Sequence, residues 1–216
     1  MSSTTPIPEP DRTLRVGVLG AGQLGRMLAL AGTPLGCSFV FVDPSAGAPA
    51  AGVGEQLVCE YTDPVGHAAL AGCDVVTYEF ESVPVEAAEA LAARVPVFPP
   101  PQALRVAQDR LLEKTCFREL GIGTAPFEAV ANAGELEQAL ARVGTPAVLK
   151  TRRLGYDGKG QFVLRHADDV AAAWTAVGGA PSILEGFVRF EREHTDVVEA
   201  LEEPRRVALG GALQLA

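Results

Sequence analysis

Cysteine is scarce in this sequence, and its spacing excludes two common kinds of site. The 216 residues contain four cysteines, which lie far apart and form neither the C-x-x-C pair of a zinc or redox site nor a disulfide-dense pattern. We therefore predict that Cys37, Cys59, Cys73 and Cys116 are ordinary thiols in buried or half-buried positions.

Long hydrophobic runs and an excess of positive charge are also absent. No segment approaches the ~20 apolar residues of a membrane span, and the opening MSSTTPIPEPDRT has no apolar stretch of the length that a signal peptide needs. The 18 lysines and arginines are outnumbered by 27 acidic residues, for a net charge of −9, which opposes non-specific binding to nucleic acid or anionic membrane. We expect a globular cytoplasmic protein that binds neither.

The hydrophobic pattern predicts an α/β fold in two units. A proline-rich tail at residues 1–13, predicted to be disordered, precedes short apolar runs that alternate with longer segments of helical period. Strands that alternate with helices favour a doubly wound parallel sheet, which we predict for residues 14–101. Its predicted strands cover residues 14–19, 38–43, 73–80 and 95–100, with a flexible loop at 46–54.

Three consecutive prolines, Pro99 to Pro101, mark the predicted boundary of this unit. Residues 102–120 then predict one amphipathic helix that ends at Gly121. Beyond the helix the pattern predicts a smaller α+β subdomain that extends to residue 193. Its predicted strands are 127–130, 147–150, 161–164 and 182–184, and its predicted helices are 134–143 and 167–177.

The segment AVLKTRRLGYDGKGQ, residues 147–161, has the strongest local signal of a ligand site. It sets Lys150 at the end of a strand, five residues ahead of a glycine-rich turn that contains Lys159. Backbone N–H groups of such a turn can converge on an anionic oxygen, and the lysines supply positive charge. The segment therefore indicates a nucleotide phosphate site. Asp157-Gly158 is also a hairpin-turn signal, which would explain the turn but not the paired lysines.

A second glycine motif lies near the N-terminus. Gly20-Ala-Gly22-Gln-Leu-Gly25 is a complete G-x-G-x-x-G between a strand and a helix, and Asp43 ends the next strand. The pattern is typical of dinucleotide binding, and the helix N-terminus favours an anion of any kind. Close packing of strand on helix is an alternative use of the glycines.

An acidic segment, Tyr78-Glu79-Phe80-Glu81, follows another predicted parallel strand. Ligands of open α/β sheets bind at this end of the strands, so Glu79 is a candidate for contact with a substrate amine. Strand alternation predicts Glu79 and Glu81 on the same side of the sheet. Two solvated acids at a strand end are the alternative.

Taken together, these motifs resemble the ATP-grasp enzymes and, within them, the N5-carboxyaminoimidazole ribonucleotide synthase family of purine biosynthesis. The likeness runs from about residue 14 to residue 193. It rests on GVLGAGQLGRM (17–27), TYEFESVP (77–84), AQDRLLEK (107–114), GYDGKGQ (155–161) and EGFV (185–188), with Glu193 five residues beyond the last motif.

The resemblance implies a fold and a set of site residues. The fold would be a pre-ATP-grasp domain at 14–101, followed by a linker helix and an ATP-grasp lid subdomain at 102–193. Substrate would contact Gly22, Gln23, Leu24 and Glu79, without a nicotinamide cofactor. ATP would contact Arg110, Lys150, Gly155, Tyr156, Asp157, Gly158, Lys159, Gly160, Gln161, Glu185, Gly186, Phe187, Val188 and Glu193.

The resemblance also implies individual roles for the ATP contacts. Arg110 and Lys150 would bind the phosphates, and residues 155–161 would close over them. The backbone of Glu185 and Val188 would pair with adenine, and Glu193 would accept hydrogen bonds from ribose. In the simpler alternatives, Arg110 pairs with Glu113 one helical turn away, and Glu185 is a surface acid.

The reaction implied is a MgATP-driven carboxylation by a ligase. Bicarbonate attacks the γ-phosphoryl group to give carboxyphosphate, and the carboxyl group then passes to an amine of 5-aminoimidazole ribonucleotide. The implied cofactors are ATP and Mg²⁺, and the implied partners are the two small substrates and a second copy of the chain. No catalytic residue is identified, and the magnesium ligands are expected in a C-terminal domain and not in this sequence.

The resemblance ends abruptly after Glu193, where the sequence reads HTDVVEALEEPRRVALGGALQLA. We interpret residues 194–216 as an aberrant tail in place of the C-terminal domain, from a frameshift or premature stop, and expect an incomplete ATP-grasp fold without turnover. Three other functions stay open: a formate-using glycinamide ribonucleotide transformylase, a non-catalytic nucleotide-binding fragment and an NAD-dependent dehydrogenase.

Overall fold

A computed structural model describes residues 13–155 and 159–189. The chain divides between Gln108 and Asp109 into two units, which correspond to a parallel and an antiparallel sheet. Both confirm the predicted fold class, a parallel α/β unit followed by an α+β unit.

The first unit has a four-stranded sheet in the order β3-β2-β1-β4, with every neighbouring pair parallel. Leu19, the last residue of β1, pairs with Val42 of β2 and Tyr78 of β4. The carboxyl ends of these strands therefore meet at one edge of the sheet. The strands are β1 (Leu14–Leu19), β2 (Cys37–Asp43), β3 (Glu55–Val58) and β4 (Val75–Tyr78), and the helices are α1 (Gln23–Gly32), α2 (Pro64–Leu70), α3 (Val85–Ala92) and α4 (Pro101–Ala107).

Both faces of this sheet are covered. Leu19 and Val40 belong to one buried cluster, with Leu70 of α2 and Leu91 of α3. Their strand neighbours Val18 and Phe41 belong to another, which includes Ala29 of α1. Because successive strand side chains point to opposite faces, the two clusters lie on the two sides of the sheet. Strands buried on both faces read as continuous apolar runs, which is why β1 and β2 were predictable.

Two strand predictions in this unit are wrong in extent. Residues 95–100 contribute only a single parallel bridge, Val97 to Val76, because the prolines that follow lack the N–H that a sheet ladder needs. The strand predicted at 73–80 is shorter, Val75–Tyr78. Strand β3 was not predicted, since it begins with Glu55 and Gln56 and has no fully buried position.

The second unit has an antiparallel sheet in the order β5-β8-β6-β7. Helices α6 and α7 supply Leu136 and Ala173 to a core shared with Leu149 of β6 and Leu184 of β8. Strand β8 lies in the interior of the sheet, next to β6. The elements are α5 (Arg110–Glu119), β5 (Phe127–Val130), α6 (Ala133–Val143), β6 (Ala147–Thr151), β7 (Gln161–Leu164), α7 (Val170–Ala176) and β8 (Ser182–Gly186).

The single helix predicted at 102–120 is wrong, because the chain forms α4 and α5 with a break between them. The Asp109 carboxylate accepts a hydrogen bond from the N–H of Leu111 at 2.9 Å, which is the role of an N-cap residue. The side chain of Gln108 donates to the carbonyl oxygen of Val83 in the first unit. Leu104 of α4 packs in the core of that unit.

The helix predicted at 167–177 is also divided, into a 3₁₀ turn (Ala167–Asp169) and α7. The Asp169 carboxylate accepts hydrogen bonds from the N–H groups of Arg165 and His166, each at 2.8 Å. An acidic side chain that caps its own turn in this way favours a helix start over a helix interior.

The four cysteines are free thiols, with Cys73 buried and the other three partly buried, as predicted. Among the described residues, no helix has the length and apolar character needed to cross a membrane.

Candidate functional site

The first candidate site is the glycine loop between β1 and α1. Gly20 has φ of 102°, a left-handed conformation that favours glycine. The carboxylate of Glu79, directly after β4, lies against this loop. Its Oε1 accepts a hydrogen bond from the N–H of Gly22 and its Oε2 one from the N–H of Gly25, both at 2.5 Å. The anion that the start of α1 favours is therefore a side chain of the protein itself.

The glycines of this loop allow the carboxylate to approach closely. A Cβ atom added at Gly22 would lie 2.6 Å from Oε1 of Glu79, and one at Gly25 would lie 2.9 Å from Oε2. Both distances are below van der Waals contact. The glycines of the fingerprint thus make room for Glu79 where a dinucleotide-binding protein makes room for a pyrophosphate.

Asp43, the residue expected to bind ribose in a dinucleotide site, instead fixes loops. Its Oδ2 accepts from the N–H of Ala21 at 3.0 Å and from the Tyr61 hydroxyl at 3.2 Å, and its Oδ1 accepts from the N–H of Ser45 at 2.8 Å. Burial, and then the charge of Asp43, raise the pKa of Tyr61. With both carboxylates engaged, the geometry argues against dinucleotide binding.

The other predicted substrate residues flank this carboxylate. Gln23 and Leu24 begin α1 and have exposed side chains. The expectation that Glu79 and Glu81 share a side of the sheet assumed a strand through both residues, whereas β4 ends at Tyr78. Glu81 is exposed, whereas Glu79 is held by the glycine loop.

The second candidate site surrounds Lys150 in the other unit. Its side chain is only 4% exposed, and its Nζ donates a hydrogen bond at 3.1 Å to Oε2 of Glu185, which is 5% exposed. Lys150 is opposite Ile183 and Glu185 is opposite Val148, so the two charged residues are diagonal neighbours on one face of adjacent strands. The alternative of Glu185 as a surface acid is therefore wrong.

A second lysine reaches the same carboxylate. The Nζ of Lys114, on α5, lies 3.4 Å from the same Oε2 of Glu185. Burial lowers the pKa of Lys150, and although Glu185 opposes that shift, the charges of Lys114 and Arg110 add to it. Burial also raises the pKa of Glu113, against the charges of Lys114 and Arg110. Positive charge is thus concentrated around Lys150.

Arg110 holds the start of the glycine-rich turn. Its Nη1 donates to the carbonyl oxygen of Thr151 at 2.8 Å and its Nη2 to that of Gly155 at 2.5 Å. The alternative of a simple pair with Glu113 does not describe its contacts, since both of these acceptors are backbone carbonyls. Arg110 is consequently fixed beside the turn with its charge not neutralised by these acceptors.

The glycines of the turn allow its two ends to meet. The N–H of Thr151 donates to the carbonyl oxygen of Gly160 at 2.8 Å, and Gly160 has φ of 68°. A Cβ atom at Gly160 would lie 2.7 Å from Oγ1 of Thr151, and one at Gly155 would lie 2.9 Å from the carbonyl oxygen of Lys159. Larger residues would force these ends apart.

An ion pair that the sequence did not reveal fixes α5 against the same turn. The Nη2 and Nε atoms of Arg152 lie 2.6 Å and 3.0 Å from the Asp109 carboxylate. Burial would raise the pKa of Asp109, but the hydrogen bonds from Arg152, Leu111 and Leu112 outweigh it and lower this pKa. Lys114 and Asp109 were missed because their partners are 71 and 43 positions away, beyond any local pattern.

The predicted adenine edge follows β8. The register places Glu185 between Phe127 of β5 and Val148 of β6, so its backbone is inside the sheet. The N–H of Phe187 donates to the carbonyl oxygen of Pro146 at 3.1 Å, and Val188, one residue further, is 41% exposed. Val188 lies beyond the last of these sheet contacts. Of the two residues predicted to contact adenine, Glu185 and Val188, it is therefore the more accessible.

Several predicted ATP residues cannot be related to this geometry. Tyr156, Asp157, Gly158 and Glu193 lie outside the described residues. Lys159, which follows the first three, is exposed. Within residues 13–155 and 159–189, no group of three or more histidine, cysteine, aspartate or glutamate side chains could hold a metal ion.

Comparison with known families identifies both units. Residues 13–108 match the family described as the ribonucleotide synthetase preATP-grasp domain, and residues 115–203 match the ATP-grasp domain family. The parallel unit thus matches a preATP-grasp domain, and the antiparallel unit with its buried lysine matches an ATP-grasp domain.

Individual relatives narrow this class. The chain is 52% identical over 181 residues to the N5-carboxyaminoimidazole ribonucleotide synthase of Pseudomonas aeruginosa, a match that covers 83% of this chain and 50% of the relative. The crystal structure of the synthetase from Thermus thermophilus is 54% identical, with a TM-score of 0.75 over 82% of this chain and 48% of that one. Over 83% of its length the chain is thus similar to an N5-carboxyaminoimidazole ribonucleotide synthase, which is the resemblance that the motifs predicted.

A third relative has been crystallised with ligands. The enzyme from Aspergillus clavatus, in complex with ADP and 5-aminoimidazole ribonucleotide, is 30% identical, with a TM-score of 0.73 over 83% of this chain and 48% of that one. The present chain therefore spans about half the length of the relatives it matches.

Proposed function

We propose that this chain provides the substrate-facing and nucleotide-facing parts of an ATP-dependent carboxylase that converts 5-aminoimidazole ribonucleotide to N5-carboxyaminoimidazole ribonucleotide. The observation that carries the proposal is the buried ammonium of Lys150, 3.1 Å from Glu185 and close in sequence to a glycine turn held by Arg110. A buried lysine is costly, and a binding site for phosphate gives a reason for it.

The residues around Lys150 fit a nucleotide. Lys150 and Arg110 would bind phosphate oxygens, and residues 155–161 would close over them and exclude water, which strengthens each charged contact. Val188 would pair with the adenine edge, together with the backbone of Glu185, and Glu193 would bind ribose. ATP, when bound, supplies the phosphoryl group that activates bicarbonate for transfer to an amine.

The magnesium ion that accompanies ATP has no comparable set of ligands among the described residues. We therefore assign no step to the metal within this chain.

In the first unit, the ribonucleotide substrate would contact Gly22, Gln23, Leu24 and Glu79. The structure favours different roles for these residues. Gln23 and Leu24 have exposed side chains at the start of α1, suited to direct contact, whereas Glu79 holds the loop through Gly22 and Gly25. Bicarbonate as the second substrate, assembly with a second copy of the chain and a cytoplasmic location belong to the same proposal.

A chimeric enzyme tests this function, because the chain spans about half of its relatives. Residues 1–193 are joined to the remaining half of the Pseudomonas aeruginosa enzyme. We expect ATP-dependent incorporation of carbon-labelled bicarbonate into 5-aminoimidazole ribonucleotide, and its loss in the Lys150→Ala chimera. Stimulation instead by formate with glycinamide ribonucleotide would assign the chain to the transformylase reaction and refute the proposal.

A further inference from the structure

Lys114 shares a carboxylate with another lysine at the candidate nucleotide site. Its Nζ lies 3.4 Å from Oε2 of Glu185, the same oxygen that accepts a hydrogen bond from Lys150 at 3.1 Å. One carboxylate can neutralise one ammonium group, so Glu185 and the two lysines together carry a net positive charge.

The two lysines differ in how they use Glu185. Lys150 is 4% exposed and donates a hydrogen bond to the carboxylate, so its contact with Glu185 is the more buried and better defined of the two. Lys114 is 19% exposed and lies at ion-pair distance. The ammonium that could change partner at least cost is therefore that of Lys114.

The surrounding charges increase the excess. Arg110 lies one helical turn before Lys114 on α5, an i,i+4 spacing that sets both on one face. Arg110 donates to the neutral carbonyls of Thr151 and Gly155. With Lys150, these residues give three positive charges against Glu185 and Glu113, in a protein whose net charge is −9.

We propose that Lys114 is a phosphate-binding residue beside Lys150 and Arg110. When a nucleotide binds, the ammonium of Lys114 leaves Glu185 and pairs with a phosphate oxygen, whereas Lys150 keeps one N–H on Glu185 and directs its other N–H donors to phosphate. This inference rests on the proposed function, which supplies ATP as the nucleotide. It assigns to α5 a second phosphate contact, one turn beyond Arg110.

Isothermal titration of the 216-residue chain with ATP, ADP and adenosine tests the assignment. Because a charge-assisted contact is lost, Lys114→Met should weaken ATP binding by roughly tenfold or more. The loss of affinity for ADP should not exceed the loss for ATP. Adenosine, which has no phosphate, should bind with an affinity within about twofold of the unmodified chain. Lys114→Arg, which keeps the charge, should recover most of the affinity for ATP. Arg118→Met is the matched control: it removes one charge from the same helix, where the guanidinium lies 4.8 Å from the Phe127 ring centroid.

The alternatives give different results. If Lys114 only neutralises Glu185, Lys114→Met will either lower the affinities for ATP and adenosine by the same factor or lower neither of them. Each of these results overturns the assignment of Lys114 and leaves the proposed function standing. An unmodified chain that binds no ATP would refute the proposed function, and the assignment with it.

A second measurement needs no substitution and covers the case of a variant that does not fold. In the unmodified chain, ATP should slow the acetylation of Lys114 by a small reagent, followed by mass spectrometry, and adenosine should not. Equal acetylation with and without ATP would overturn the assignment.

Discussion

Replacement of Glu79 by glutamine gives a direct measure of how the chain holds its own glycine loop. The carboxylate accepts from the N–H groups of Gly22 and Gly25 at 2.5 Å each. Glutamine has nearly the same shape but one acceptor oxygen, so one of the two N–H groups would face an NH₂ donor. Loss of one charge-assisted hydrogen bond costs about 1.5 to 3 kcal/mol, and loss of the negative charge at the start of α1 removes about 0.3 to 1 kcal/mol more.

The amide hydrogen exchange rates of Gly22 and Gly25, measured by NMR in the full chain, report this loss of free energy at the loop itself. A loss of about 2 kcal/mol should accelerate exchange roughly thirtyfold, since each 1.4 kcal/mol corresponds to a factor of ten. Glu81→Gln is the matched control, because Glu81 is an exposed acid two residues away and should change exchange little. Equal exchange in the two variants would refute the view that Glu79 fixes the loop.

Three further predictions concern the second unit and the chain as a whole. Lys150→Ala should weaken ATP binding by about 1.5 to 3 kcal/mol, and Arg152→Ala by less, since Arg152 pairs with Asp109; equal effects by titration calorimetry would contradict the proposed phosphate site. The folded-state pKa of Asp109 is below its ordinary 3.8, so the ionised carboxylate stabilises the fold above about pH 4, and this stabilisation is lost as pH falls through the lowered pKa. Asp109→Asn should therefore make the free energy of unfolding, measured by urea titration at several pH values, fall less steeply in acid. The 216-residue chain alone should incorporate no labelled bicarbonate, and turnover that Lys150→Ala abolishes would contradict this.

The sequence predicted those parts of the fold whose signal is local. Strand β1 was predicted at its observed bounds, because its later part, residues 16–19, is a continuous apolar run whose last three residues are buried. The break at Gln108 and Asp109 was not predicted, because the segment keeps a helical period across it. What ends the helix there is the pairing of Asp109 with backbone N–H groups and with a distant arginine, and a periodic pattern does not contain that information.

The same limit applies to the candidate sites. Lys150 was predicted from its place before a glycine turn, and Glu185 from the EGFV motif, but their pairing depends on the order of strands in the sheet. Lys114 carried no separate signal, since a lysine on an amphipathic helix is ordinarily a solvated residue. Only its distance to Glu185 distinguishes it.

The two glycine motifs of this chain show that such a motif specifies an anion and not its chemical identity. In the first unit, the N–H groups at the start of α1 are satisfied by a carboxylate that arrives from the adjacent strand β4. In the second, the turn is flanked by cations, and among the described residues two of them, Lys114 and Lys150, share the single carboxylate of Glu185. Because Glu79 already occupies the first loop, that loop is preformed, and Gln23 and Leu24 remain available for contact with a ligand. The cation cluster of the second unit carries net positive charge, which an anionic ligand would neutralise. Of the two motifs, the glycine-rich turn at residues 155–161 is therefore the better candidate for a phosphate site.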